Sequence, residues 1–189
     1  MFFDSEEDLE QFGVTPNMAR LPQFLSGILR NYDPAAQAVA QRLIPLYGQP
    51  DEATATHLIW KGPAPFVCTV LSAKATPHNF PSPHSAVLEQ CVLYPLGNAS
   101  GKYDDLGAYN GSVTVKRTEG LLCARSDDPG TNLLMLNLAH DIITGRKSYR
   151  DARTYHVKAG ALYKAGKVPK YTAQLTFAPE PGADPDVSA

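Results

Sequence analysis

The spacing of apolar residues changes twice along this chain, and that change constrains the fold more than any single motif. Leu21, Phe24, Leu25, Ile28, Leu29 and Tyr32 recur at three-and-four spacing, with Pro22 suited to a first helical turn. Asp33-Pro34 reads as an N-cap followed by proline at the first helical position. Val39, Ala40, Leu43, Ile44 and Tyr47 carry a second helix toward Gly48. Pro45 has no N–H to give the carbonyl four residues back, so the last turn is expected to kink or end early.

From Thr54 the period becomes two. Residues 54–61 and 66–71 read as strands joined by Gly62-Pro63-Ala64-Pro65. Residues 86–94 fit a third strand or a short helix; the β-branched and aromatic content and Pro95 favour the strand. Residues 97–111 read as a polar, glycine-containing loop. Residues 112–118 and 121–126 form the clearest hairpin, turning at Glu119-Gly120.

The helical period then returns. Asp128-Pro129 repeats the cap-plus-proline signal ahead of Leu133, Leu134, Met135, Leu136, Leu138, Ala139, Ile142 and Ile143, and Gly145 ends that run. Ser148-x-x-Asp151 reads as a capping box for a helix over 149–165, stopped by Gly166. Tyr171, Ala173, Leu175 and Phe177 alternate with polar residues, which suggests a half-buried final strand. Helices, then strands, then helices imply an α+β fold: an antiparallel sheet of five to six strands with helices packed mainly on one face. The expected organisation is an acidic arm over 1–15, one α+β domain over 16–178 and a disordered tail over 179–189.

Composition narrows function mainly by exclusion. The formal net charge is −2, which gives no general pull toward nucleic acid or membrane. No apolar run approaches the roughly 18 residues of a membrane span. The acidic start of the chain reads as that of a soluble, cytoplasmic protein. The three cysteines, Cys68, Cys91 and Cys123, lie in apolar runs without a C-x-x-C pair, and buried free thiols are the expected state. A disulfide plus one free thiol is the alternative. Nucleotide-binding glycine motifs and the G-x-S-x-G nucleophile elbow are absent from the sequence.

Chemistry concentrates in the proline-rich stretch 77–90. His78 and His84 lie there with Glu89, and His140-Asp141 follows on a later helix. Histidine and carboxylate are ligands of zinc and non-haem iron, so His78, His84, Glu89 and His140 form a candidate set for a divalent metal cofactor. The spacing matches no compact metal motif, and a stiff loop packing Phe80 on the sheet accounts for the stretch equally well. Arg146, Arg150 and Arg153 have the spacing of one helix face and form a candidate anion-binding surface, although nucleic acid is disfavoured as a partner.

Four segments resemble a set of uncharacterised bacterial proteins. They are Tyr47-Gly48-Gln49-Pro50-Asp51-Glu52; Pro77-His78-Asn79-Phe80-Pro81-Ser82-Pro83-His84; Tyr109-Asn110-Gly111-Ser112-Val113; and Asn137-Leu138-Ala139-His140-Asp141-Ile142. The resemblance spans roughly residues 35–165 and implies no activity. The expectation is a soluble binding or interaction module for a protein or small molecule. The alternative is a metal-dependent enzyme, hydrolytic in type, built on the residues at 78–89 and 140–141.

Overall fold

A computed structural model describes residues 23–95 and 102–182. The proposed acidic arm lies outside these residues, as does most of the tail. The elements in chain order are α1 (Gln23–Leu29), α2 (Pro34–Tyr47), β1 (Glu52–Ala53), β2 (His57–Lys61), β3 (Cys68–His78), β4 (His84–Leu93), α3 (Tyr103–Tyr109), β5 (Val113–Lys116), β6 (Leu121–Ser126), α4 (Pro129–Ile143), α5 (Tyr149–Lys164) and α6 (Lys170–Ala173). The strands form one antiparallel sheet in the order β1-β2-β3-β4-β6-β5. The fold is therefore α+β, as the change of period implies.

Register sorts the side chains onto two faces. Leu58, Trp60, Thr69, Leu71, Leu88, Gln90, Val92, Leu122 and Ala124 share one face and are buried there. Helix α2 covers the β2–β3 end with Ala36, Val39, Ala40 and Leu43. Helix α4 covers the β4–β6 end with Leu134, Leu138 and Ile142. Gln90 lies under the seam between the two helices. Its side chain donates to Tyr47 Oη from α2 and accepts from Asn132 Nδ2 of α4, at 3.2 and 3.0 Å. Helix α4 is apolar nearly all round because α5 and α6 pack on its far side.

Several local expectations hold for the physical reason given. Asp128 Oδ1 accepts from the N–H groups of Gly130 and Thr131, and Ser148 Oγ accepts from Asp151 N–H, so both helices start on real caps. Others change. Helix α2 continues past Pro45 to Tyr47, where Gly48 at φ 79° closes it. Asp33 precedes α2 but does not cap it; its carboxylate accepts from Ala75 N–H and pairs with Lys74, pinning the irregular part of β3. Strands β3 and β4 extend through the proline-rich stretch, so that His78 pairs directly with His84 and only 79–83 turns. Part of the polar loop over 97–111 is helix α3.

The expected final strand is absent among the described residues: 170–173 is a helical turn and 174–177 bends along without a sheet partner. Buried Asn137 of α4 supplies what a neighbouring strand would. Its Nδ2 donates to the carbonyls of Tyr171 and Gln174, and its Oδ1 accepts from Thr176 N–H and Thr176 Oγ1. Tyr171, Leu175 and Phe177 then pack against the core that contains α4 instead of lining a sheet edge, and Ala173 is exposed.

Candidate functional site

The stretch 77–90 brings two of its three candidate ligands together. His78 Nδ1 and His84 Nε2 lie 3.3 Å apart, and the rings meet edge to face. His84 Nδ1 lies 2.9 Å from the Ser82 carbonyl, so this nitrogen carries the proton and leaves Nε2 with its lone pair. A third imidazole stands beside this pair. His156 of α5 is buried, packs edge-on against Phe80 with centroids 5.0 Å apart, and shares a hydrogen bond with Tyr109 Oη at 2.9 Å. Burial, followed by the neighbouring imidazoles of His84 and His78 and by Arg153 and Lys164, holds His156 down to about 4. Burial, then His84 and Arg153, also lowers His78. Positive charge from Arg153 thus reaches both His78 and His156.

Glu89 is not part of this group. It follows His84 by five positions, about 16 Å along a strand, and points to the sheet face away from the helices. It pairs with Lys116 at 3.8 Å and lies 4.0 Å from Cys91 Sγ. Glu89, Cys91 and Cys123 are the only His, Cys, Asp or Glu donors found together in threes within 4.8 Å among the described residues. Two of those three are joined in a disulfide, which replaces the free thiols expected at these positions. Cys68 remains free.

His140 lies apart from both groups, in a cleft of about 530 Å³ lined by Tyr94, Ile143, Thr144, Arg146, Phe177 and Glu180, among others. Phe177 stacks on the imidazole at 4.4 Å and 17°. Arg146 Nη1 donates to His140 Nε2 at 3.2 Å, so Nδ1 carries the proton and donates to Tyr94 Oη at 2.9 Å. Burial and Arg146 lower the pKa of His140 and keep it neutral, while burial pushes Tyr94 up to about 12. Asp141 does not serve as its acid–base partner. That carboxylate is buried and held by Lys147 Nζ and Tyr171 Oη, each at 2.8 Å.

The three arginines do not form one helix face. Arg146 precedes α5 and belongs to the His140 cleft. Arg150 bonds Tyr149 Oη. Arg153 lies over the Phe80 ring at 3.8 Å and donates to the Tyr109 carbonyl at 2.7 Å. Two residues that matter here escape a search for motifs. Tyr94 falls at a strand end, and His156 falls on the buried stripe Ala152–His156–Ala159 of α5, where helical spacing marks it as inward-facing. No protein-family model, curated protein or solved structure matches this chain, so its own geometry carries the functional reading.

Proposed function

We propose that the protein is a non-catalytic binding module whose ligand seat is the His140 cleft. The observation that carries this reading is a concave site with a stacked aromatic wall and opposite charges that do not pair with each other. Arg146 and Glu180 both line the cleft, and the ion pairs among the described residues do not join them. A small zwitterion with a flat apolar group suits those walls: its carboxylate would meet Arg146, its ammonium Glu180, and its ring Phe177. An aromatic amino acid has this chemistry. At about 0.3 kcal/mol per heavy atom, one of 12–15 such atoms binds with roughly 4 kcal/mol, a Kd near 1 mM. The cleft offers no nucleophile beside a free base, since His140 is engaged through both nitrogens. Calorimetry with L-phenylalanine and L-tryptophan tests the reading: saturable binding, weakened at least fivefold in Arg146→Ala, is expected. Absence of binding to either compound, or equal binding by the variant, would refute it.

One observation favours a second reading, a metal site at the hairpin tip. Two nitrogens on a tetrahedral ion at about 2.0–2.1 Å are separated by about 3.3 Å, the spacing of His78 Nδ1 and His84 Nε2. The bond from His84 Nδ1 to the Ser82 carbonyl is the outer contact that fixes a ligating imidazole. Arg153 and Lys164 nearby oppose a cation, which favours ions with high intrinsic affinity for imidazole, such as zinc or copper, over magnesium or calcium. In this reading His78 and His84 are the protein ligands, and Glu89 and His140 take no part.

The disulfide bears on location. It favours an oxidising compartment over the cytoplasm expected from the acidic start of the chain. No helix among the described residues is long and apolar enough to cross a membrane.

A further inference from the structure

All three cysteines of the chain fall in one row across the sheet. Cys68 of β3 pairs in register with Cys91 of β4, and Cys91 pairs with Cys123 of β6. Residues directly opposite in register point to the same face, so the three sulfurs share the face away from the helices. We propose that they form a disulfide relay. The Cys68 thiolate attacks the Cys91 sulfur, Cys123 leaves as a thiolate, and the bridge passes from the β4–β6 pair to the β3–β4 pair.

The balance closes within the chain. One S–S bond forms and one breaks, Cys68 gives its proton to solvent and Cys123 takes one up, and nothing is oxidised or reduced overall. Displacement at sulfur requires the attacking, central and leaving atoms to lie near a line. A row across three neighbouring strands sets Cys91 between Cys68 and Cys123, the order that such a displacement needs. The same spacing forbids the remaining pair: Cys68 and Cys123 stand two strand intervals apart, roughly 9.6 Å, beyond the reach of a disulfide. Cys91 is therefore the shared partner in either state.

The attacking thiol is partly exposed, whereas Cys91 and Cys123 are buried. The charged groups around Cys68 are Lys61 of β2, Glu89 of β4 and Lys116 of β5. Burial raises its pKa first, Lys116 lowers it, Glu89 raises it and Lys61 lowers it, with a net rise. The relay is consequently slow at neutral pH and accelerates as the thiolate fraction grows. The structural effect is an untying. The existing bridge closes a segment with a sequence separation of 32 that carries α3 and β5, and moving it removes the covalent tie between β6 and β4.

The test follows the position of the free thiol. Oxidised protein without added thiol is held at about pH 7 and about pH 9, either side of the ordinary thiol pKa of roughly 8.5. It is quenched with acid, unfolded, labelled with N-ethylmaleimide under acidic conditions and peptide-mapped without reduction. The label is expected to move from Cys68 to Cys123, about tenfold faster per pH unit below the Cys68 pKa. Cys123→Ser, oxidised with diamide and checked for folding by circular dichroism, is expected to give a monomer with Cys68 bonded to Cys91. Cys68→Ser is expected to keep Cys91–Cys123 with no label at Cys123. Label confined to Cys68 after prolonged incubation at the higher pH, a folded Cys123→Ser protein that does not link Cys68 to Cys91, or labelled Cys123 in Cys68→Ser would each overturn the relay.

Discussion

Acid should destabilise this protein through His156, by an amount the structure allows to be worked out. The ring is buried among Phe80, Tyr109 and the pair His78 and His84, with Arg153 and Lys164 close by. Its pKa falls from 6.5 unfolded to about 4 folded. The unfolded chain therefore takes up a proton that the folded chain refuses. Stability from this group is complete above about pH 6.5, declines as pH falls, and is lost as pH passes about 4. A depression of about 2.5 pH units at 1.36 kcal/mol each corresponds to roughly 3 kcal/mol. His78 and His140 shift in the same direction. His156→Gln isolates the effect, since an amide can still bond the Tyr109 hydroxyl but does not titrate. Urea denaturation from pH 7 to 4 in chelator-containing buffer, compared between wild type and variant, gives the difference. Wild type should lose about 3 kcal/mol more than the variant over that range. Equal losses would show that His156 is not held neutral by its surroundings.

Two further outcomes follow from other parts of the molecule. Asn137→Ala removes the four bonds that hold 171–176 on α4 and should cost about 4 kcal/mol, at roughly 1 kcal/mol per bond; urea denaturation with a loss under about 1 kcal/mol would contradict that role. Elemental analysis of protein purified without chelator checks the metal reading. Zinc or copper near one equivalent, lost in the His78→Ala, His84→Ala double variant, is expected, and metal-free protein whose thermal stability ignores both ions would eliminate it.

The parts of this fold visible in the sequence are those set by neighbours a few residues apart. The caps at Asp128 and Ser148, the glycine ends at Gly145 and Gly166 and the hairpin at Glu119-Gly120 all depend on local conformation. Strand parity becomes usable only because β4 begins at His84, two residues before the strand that the sequence suggests. His84 and Glu89 are separated by an odd number of positions on one strand, which places them on opposite faces whatever the sheet order. The failures are long-range. Period two over 171–177 implied a strand, but Asn137, more than 30 positions earlier, satisfies that backbone and removes the need for a sheet edge. The cysteine row requires the order β3-β4-β6, which no single segment encodes. His156 joins His78 and His84 only because α5 returns over the hairpin tip, and a lone histidine between alanines carries no motif of its own.

The proposed function is tested most directly by amide NMR chemical shifts during titration with L-phenylalanine. Saturable shifts are expected at Tyr94, His140, Thr144, Arg146, Thr176 and Phe177, with little change around His78 and His84. In Arg146→Ala the same shifts should need at least fivefold more ligand. Saturable shifts gathered at another surface, or no shifts up to several times the expected millimolar Kd, would contradict the assignment of this cleft as the ligand seat.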